Sequence, residues 1–153
     1  MRNLTATLCL ILAVLLGSAG MSASANYGKG LAAYKRGDYA TALREWSPLA
    51  VHGNTTAQLL LGEMYKNGWG VPQNDKTAVK WYRLAAEQGD ADAQFNLGLM
   101  YGMGRGVIRD PVYAHMWYNI AASNGVINGA NVRNAHATVI TPSQLEKSTR
   151  PCP

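Results

Sequence analysis

The chain has 153 residues, 48% of them hydrophobic, with 14 basic against 9 acidic residues for a net charge of +5. That charge is thinly spread, without the Lys/Arg run that marks a nucleic-acid or membrane patch, so neither partner is expected. The two cysteines, Cys9 and Cys152, are too few for a disulfide framework.

In chain order the first element is a leader. Arg2 is followed by an apolar run from Leu8 to Leu16 and by the small-residue site Ala23-Ser24-Ala25. This is the layout of a secretory signal over 1–25, cleaved after Ala25. Crossing a bilayer takes roughly 20 apolar residues and this run is about half that. Stable membrane insertion is therefore not expected after cleavage. The remaining 26–153 carry 13 basic and 9 acidic residues, since only Arg2 leaves with the leader, and have the size of one domain. Cys152 is then alone in an Arg150-Pro151-Cys152-Pro153 tail. It either pairs with another chain or is a loose end.

An internal repeat organises the rest of the chain. Residues 57–92 and 93–128 align with a 36-residue period and no gap, and fifteen positions are identical. Among them are Ala57/Ala93, Gly62/Gly98, Tyr65/Tyr101, Gly68/Gly104, Gly70/Gly106, Ala78/Ala114, Trp81/Trp117, Ala86/Ala122 and Gly89/Gly125.

Each unit reads as two helices. Ala57, Leu61, Met64 and Tyr65 share one helical face, as do Ala78, Trp81, Ala85 and, more loosely, Ala86. Between them Gly68-Trp69-Gly70-Val71-Pro72 stops the first helix, because glycine accepts the left-handed cap and proline resists continuation. The second helix restarts at Asn74 or Asp110, whose side chains accept from orphan backbone donors, with Pro111 suited to the first helical position. Gly89 and Gly125 close it. Gly62 and Gly98, inside first helices, cost on the order of 1 kcal/mol each relative to alanine, and a close helix approach explains them. Gly102-Met103-Gly104-Arg105-Gly106 lacks the third glycine of a dinucleotide fingerprint and follows a helix, so no nucleotide cofactor is expected.

A shorter copy precedes these units at about 27–53, with Asp38, Ala42, Ala50 and Gly53 lying 36 residues before Asn74, Ala78, Ala86 and Gly89. Tyr34 answers Tyr65, and a tight Arg36-Gly37-Asp38 turn replaces the long loop. Terminal repeats are expected to be atypical. After 128 a C-terminal cap is expected at about 129–149, with a helix near Ala130 to Ala137 and another opened by the capping-box pattern Thr141-Pro142-Ser143-Gln144.

The pattern A-Q-x-x-L-G-x-x-Y-x-x-G-x-G-V, then Asn or Asp, then A-x-x-W-Y-x-x-A-A-x-x-G, resembles the Sel-like repeat family, a relative of tetratricopeptide repeats. The likeness is strong over 57–125 and weaker over 27–53. It implies an all-α chain, an α/α solenoid of about three helix-turn-helix repeats whose first helices line a concave face. It also implies adaptor or scaffold roles in protein complexes, often in signalling, envelope stress or host contact, and, because secreted bacterial members are common, a periplasmic or extracellular destination. A cysteine-rich branch of the family is linked to penicillin binding and weak β-lactam hydrolysis. Its cysteine pair in each repeat is missing here, so that link does not carry over.

Catalytic chemistry finds no foothold in the motifs. His52, His115 and His136 are isolated, and there is no H-E-x-x-H pair or cysteine cluster for zinc. Ser-x-x-Lys and Gly-x-Ser-x-Gly are missing. His115, beside Trp117, reads as an outer-face residue, and Asp90-Ala91-Asp92 as a helix start favoured by negative charge rather than a calcium loop. No metal and no cofactor are expected.

A protein partner is expected instead. Projection of the first helices at 100° per residue puts Leu59, Glu63 and Lys66 opposite the buried side, with Phe95, Leu99 and Gly102 as their equivalents. Leu59, Phe95 and Leu99 then form either an exposed apolar stripe suited to binding or a strip covered by neighbouring helices. Trp69 and Arg105 hold the same place in successive loops, as interface anchors or, for Trp69, as a lid folded back. The leading expectation is a non-enzymatic adaptor using Leu59, Glu63, Lys66, Trp69, Phe95, Leu99 and Arg105. A cell-wall ligand binder or weak hydrolase is the competing class, and weak self-association through the stack end or Cys152 a third.

Overall fold

The structure, a computed structural model, describes residues 23–126 together with 141, 143 and 146. The apolar leader run, the segment from Ala130 to Ala137 and Cys152 lie outside the described residues. Six helices and no strand form among the described residues: α1 (23–35), α2 (Tyr39–Val51), α3 (Thr55–Asn67), α4 (Asp75–Glu87), α5 (Ala91–Met103) and α6 (Pro111–Ser123). Ser143 and Glu146 are also in helical conformation, and the Thr141 and Ser143 hydroxyls lie 3.2 Å apart.

The helix starts follow from side-chain chemistry. Asp38, Asn54, Asn74, Asp90 and Asp110 each accept a hydrogen bond from the backbone N–H three residues on, at 2.7 to 3.1 Å. Each satisfies one of the donors that a helix N-terminus leaves orphaned. Pro111 is the first residue of α6, where its missing N–H costs nothing. At the other ends, Gly68 and Gly104 stop α3 and α5 in the left-handed region, at φ 72° and 70°, which side chains with a Cβ resist.

Packing then stacks the helices in sequence, α2 on α3, α3 on α4, α4 on α5 and α5 on α6. One buried cluster joins α1, α2 and α3 through Ala33, Ala42, Trp46, Leu49, Ala50, Ala57, Leu61 and Met64. The other joins α4 and α5 through Ala78, Val79, Tyr82, Ala85, Ala86, Ala93, Leu97 and Met100. Trp81 reaches from α4 to the first cluster, while Leu59 and Tyr65 reach from α3 to the second. These crossing side chains make neighbouring units one core.

Two helix-face readings are corrected. The second helices bury Tyr82 and Tyr118, not their neighbours Trp81 and Trp117, which are only partly covered. Tyr82 and Tyr118 lie against Gly62 and Gly98, where an added Cβ would come within 2.6 and 2.7 Å of the ring. The interior glycines thus make room for a tyrosine of the same unit, and the close approach expected of them is to a ring. His115 is the other correction: it is 3% exposed, in the place that Val79 holds one unit earlier. The helical face that buries Val79 buries it too.

Candidate protein-interaction face

The first helices α3 and α5 lie side by side, tied by the Lys66 ammonium donating to Asn96 Oδ1 at 3.0 Å. Lys66 Nζ also stands 5.7 Å from the centre of the Tyr82 ring. Its donors are thereby turned toward the protein, and the ring gains a cation contact.

Glu63, one turn before Lys66, is half-buried and makes no hydrogen bond. Burial holds its carboxyl above the usual range; Lys66 opposes this, while the Asp92 and Asp90 charges reinforce it. Close by, the fully buried Tyr82 hydroxyl has no partner. Burial drives that phenol far up and the Glu63 charge adds to it. Tyr34 of α1 is raised as well, by burial first and then by Glu63. One carboxylate therefore sits within electrostatic reach of two phenols from different units.

The apolar members are neither open nor sealed. Leu59, Phe95 and Leu99 are each half-buried. Leu59 packs on the second cluster, and the Phe95 ring lies 5.6 Å from Tyr118. The neighbouring helices cover one side of this strip and leave the other to solvent.

The two loop residues are turned inward. Trp69 stacks on Tyr39 at 5.5 Å and 11° and meets Tyr34 edge-on at 5.8 Å. It lies folded back on the start of α2. Arg105 donates from Nε and Nη2 to the two Asp75 carboxylate oxygens at 3.0 and 2.9 Å, at the start of α4. These pairings draw both side chains to the joints between units, away from Leu59, Phe95 and Leu99.

Sequence reasoning missed a polar joint that the fold repeats. Buried Gln58 donates to the Ala50 carbonyl at 3.0 Å and accepts from Gln88 Nε2 at 2.7 Å. One unit later, buried Gln94 donates to the Ala86 carbonyl at 3.1 Å and accepts from Asn124 Nδ2 at 2.8 Å. The signal was the Ala-Gln pair at 57–58 and 93–94, a polar identity on an otherwise apolar face.

Among the described residues no three His, Cys, Asp or Glu side chains gather as a metal would need, and no helix is long and apolar enough to cross a membrane. The Sel1 repeat family model matches residues 55–90 and 91–126, the two units that the 36-residue period marks out. This is a Sel1-repeat protein. Its matched units begin two residues before the 57 and 93 read from identities, at the helix starts themselves.

Solved Sel1-repeat structures are similar. A protective antigen of uropathogenic Escherichia coli strains, displaying an SLR fold, is 32% identical with a TM-score of 0.78, over 82% of this chain and 28% of the antigen. A Sel1 repeat protein from Oxalobacter formigenes is 40% identical with a TM-score of 0.63, over 65% of this chain and 41% of that one. Cysteine rich protein B of Helicobacter pylori, 22% identical with a TM-score of 0.57 over 59% of this chain and 68% of its own, shares the fold. This chain thus spans less than half the length of the first two relatives. No curated protein matches it. Sel1 repeats typically mediate protein–protein interaction and are generally non-catalytic scaffolds.

Proposed function

We propose that this Sel1-repeat chain is a non-enzymatic adaptor that holds a protein partner on the α3–α5 face, in the bacterial envelope or the secreted space. The observation that carries it is the strip of Leu59, Phe95 and Leu99, half-buried beside a carboxylate that has no partner. A partner that covers the strip removes the remaining apolar surface from water. Export is supported by the Arg2, Leu8 to Leu16 and Ala23-Ser24-Ala25 layout. It fits with a relative described as a protective antigen.

The test uses the repeat itself as a guide to tolerated substitutions. Position 99 answers position 63, where this same fold carries glutamate, so Leu99→Glu should keep the helices intact. A photo-crosslinking residue at 95 should capture a defined protein in the native envelope, and Leu99→Glu should abolish that capture. Equal capture from position 80 on the exposed face of α4, or no effect of Leu99→Glu in a variant with unchanged melting, overturns the reading. N-terminal sequencing of the envelope form should give Asn26; a form still beginning at Met1 overturns the export half.

A further inference from the structure

The last repeat unit holds apolar side chains in water that the fold does not require. Met103 at the end of α5, Ile108 in the loop and Tyr113 in the first turn of α6 are 62%, 90% and 45% exposed. One unit earlier their places are held by Asn67, Pro72 and Thr77. The loop backbone is the same in both units, with Gly68 and Gly104 at φ 72° and 70° and Gly70 and Gly106 both at 71°. Backbone geometry therefore does not select the methionine, isoleucine and tyrosine, and removing their surface from water is favourable.

Cations that the sequence scatters are gathered beside these residues. Lys76, Lys80 and Arg83 follow at i, i+4 and i+7 on the exposed side of α4, a row about 10 Å long. None of them forms a salt bridge among the described residues. The row is fixed against the apolar unit at both ends. Gly106 lies so close to it that a Cβ there would come within 2.8 Å of the Lys76 backbone nitrogen. Lys76 and Ile108 then line one open cavity of about 390 Å³, together with Gly104, Gly106 and Val107. At the other end Arg83 Nη2 donates to the Tyr101 hydroxyl at 2.9 Å, and the Tyr101 ring stands 5.3 Å from that of Tyr113. Arg109, exposed next to Ile108, donates from Nε to the Gly102 carbonyl at 3.0 Å and keeps its charge. Of the acids on these elements, Asp75 is paired with Arg105 and Asp110 caps α6. Glu87, one turn past Arg83, offsets one of the four positive charges.

We propose that this side of the molecule, formed by α4, the α5–α6 loop and the start of α6, rests on an anionic phospholipid surface. Ile108 and Met103 enter the boundary between headgroups and acyl chains, with Tyr113 at headgroup level. Lys76, Lys80, Arg83 and Arg109 meet the lipid phosphates. A peptide seated in the cavity would leave Met103 in water, since Met103 is not part of the lining; a lipid surface yields around both projecting side chains. The contact is peripheral, because no described helix is long and apolar enough to cross a membrane. It uses none of Leu59, Phe95 and Leu99, so it goes beyond the adaptor reading without resting on it.

The experiment sediments purified protein with mixed phosphatidylglycerol–phosphatidylcholine vesicles and with vesicles of phosphatidylcholine alone. Binding to the mixed vesicles should exceed binding to phosphatidylcholine, and the excess should shrink as salt rises. Lys80→Gln should weaken the excess about five-fold, the scale of one cation near an anionic surface. Ile108→Ser should weaken it about ten-fold or more, the scale of one buried isoleucine. Both side chains are exposed, so neither change disturbs the core. No excess for the mixed vesicles, or an excess that neither variant weakens, overturns the proposal. Binding to soluble polyglutamate without an excess on vesicles also overturns it, and would make this an acidic-protein face. Leu99→Glu should leave vesicle binding unchanged; if it abolishes that binding, the lipid lies on the α3–α5 face and this assignment falls.

Discussion

Arg105 grips Asp75 in the place where, one unit earlier, Trp69 stacks on Tyr39. The two pairs are 36 residues apart at both ends, and each ties a first-helix loop to the start of the preceding second helix. The loop backbone follows the same path at both joints: a Cβ on Gly70 would strike Tyr39, and one on Gly106 would strike the Asp75 carbonyl. The fold keeps the contact and exchanges its chemistry, aromatic at one joint and ionic at the next.

Different chemistry should give different energetics. Trp69→Ala removes a stack on Tyr39 and an edge contact with Tyr34, at a cost of about 2–4 kcal/mol in urea unfolding. Arg105→Ala loses a bidentate pair whose side chains are 38% and 26% exposed. Solvent screening holds that loss to about 1 kcal/mol or less. Raising salt should shrink the Arg105 effect and leave the Trp69 effect unchanged. Equal losses, or a salt-sensitive Trp69 variant, would contradict this division of labour.

Gly98→Ala should destabilise although alanine is the better helix former. Propensity offers about 1 kcal/mol in favour of alanine. Against it, the new methyl lies 2.7 Å from the Tyr118 ring and 3.3 Å from the Ala114 carbonyl. Overpacking costs typically about 1–3 kcal/mol, so the net change is a loss, read as a lowered melting temperature. Gly62→Ala against Tyr82 should behave alike, and Tyr82→Leu in the same chain should recover part of the loss.

The Gln58 joint predicts coupling. Gln58→Ala removes the hydrogen bonds to the Ala50 carbonyl and from Gln88. That carbonyl keeps the Gly53 N–H and the Gln88 amide keeps the Leu84 carbonyl, so the cost is that of hydrogen bonds lost, about 0.5–1.5 kcal/mol each. Gln88→Ala alone should cost less, because Gln88 is exposed. The double variant should fall short of the sum by about 0.5 kcal/mol or more, the signature of residues in one network. Additive losses in a double-mutant cycle would mean the 2.7 Å contact carries no energy of its own.

The helices were readable because each boundary has a local cause: Asn74, Asp90 and Asp110 to start, Gly68 and Gly104 to stop. Joint chemistry was not readable, because Trp69 and Arg105 find Tyr39 and Asp75 thirty residues away. Both look like free loop tips until those helix starts are placed beneath them. Periodicity chose Trp81 over Tyr82, its neighbour 100° around the helix, and the structure buries Tyr82 instead. Gly62 decided it, by leaving a ring-sized gap. The strip of Leu59, Phe95 and Leu99 was located by projection, but its half-burial depends on how α4 and α6 lean against it, which no single helix encodes.

Glu63 should make the protein less stable at neutral pH than in mild acid. Its folded carboxyl titrates above the ordinary range because burial disfavours the charge. Between the ordinary carboxylate pKa and this raised value, the folded state holds a proton that the unfolded chain has released. Stability therefore falls as pH rises through that window. Glu63→Gln removes the charge at every pH, so it should stabilise the protein at neutral pH, with the gain fading as pH drops below the ordinary glutamate value. Urea unfolding of both forms across mild acid to neutral pH reads the difference directly. A loss at neutral pH that fades toward acid would mean that the Glu63 carboxylate is held ionised, contrary to the dominance of burial over the Lys66 charge.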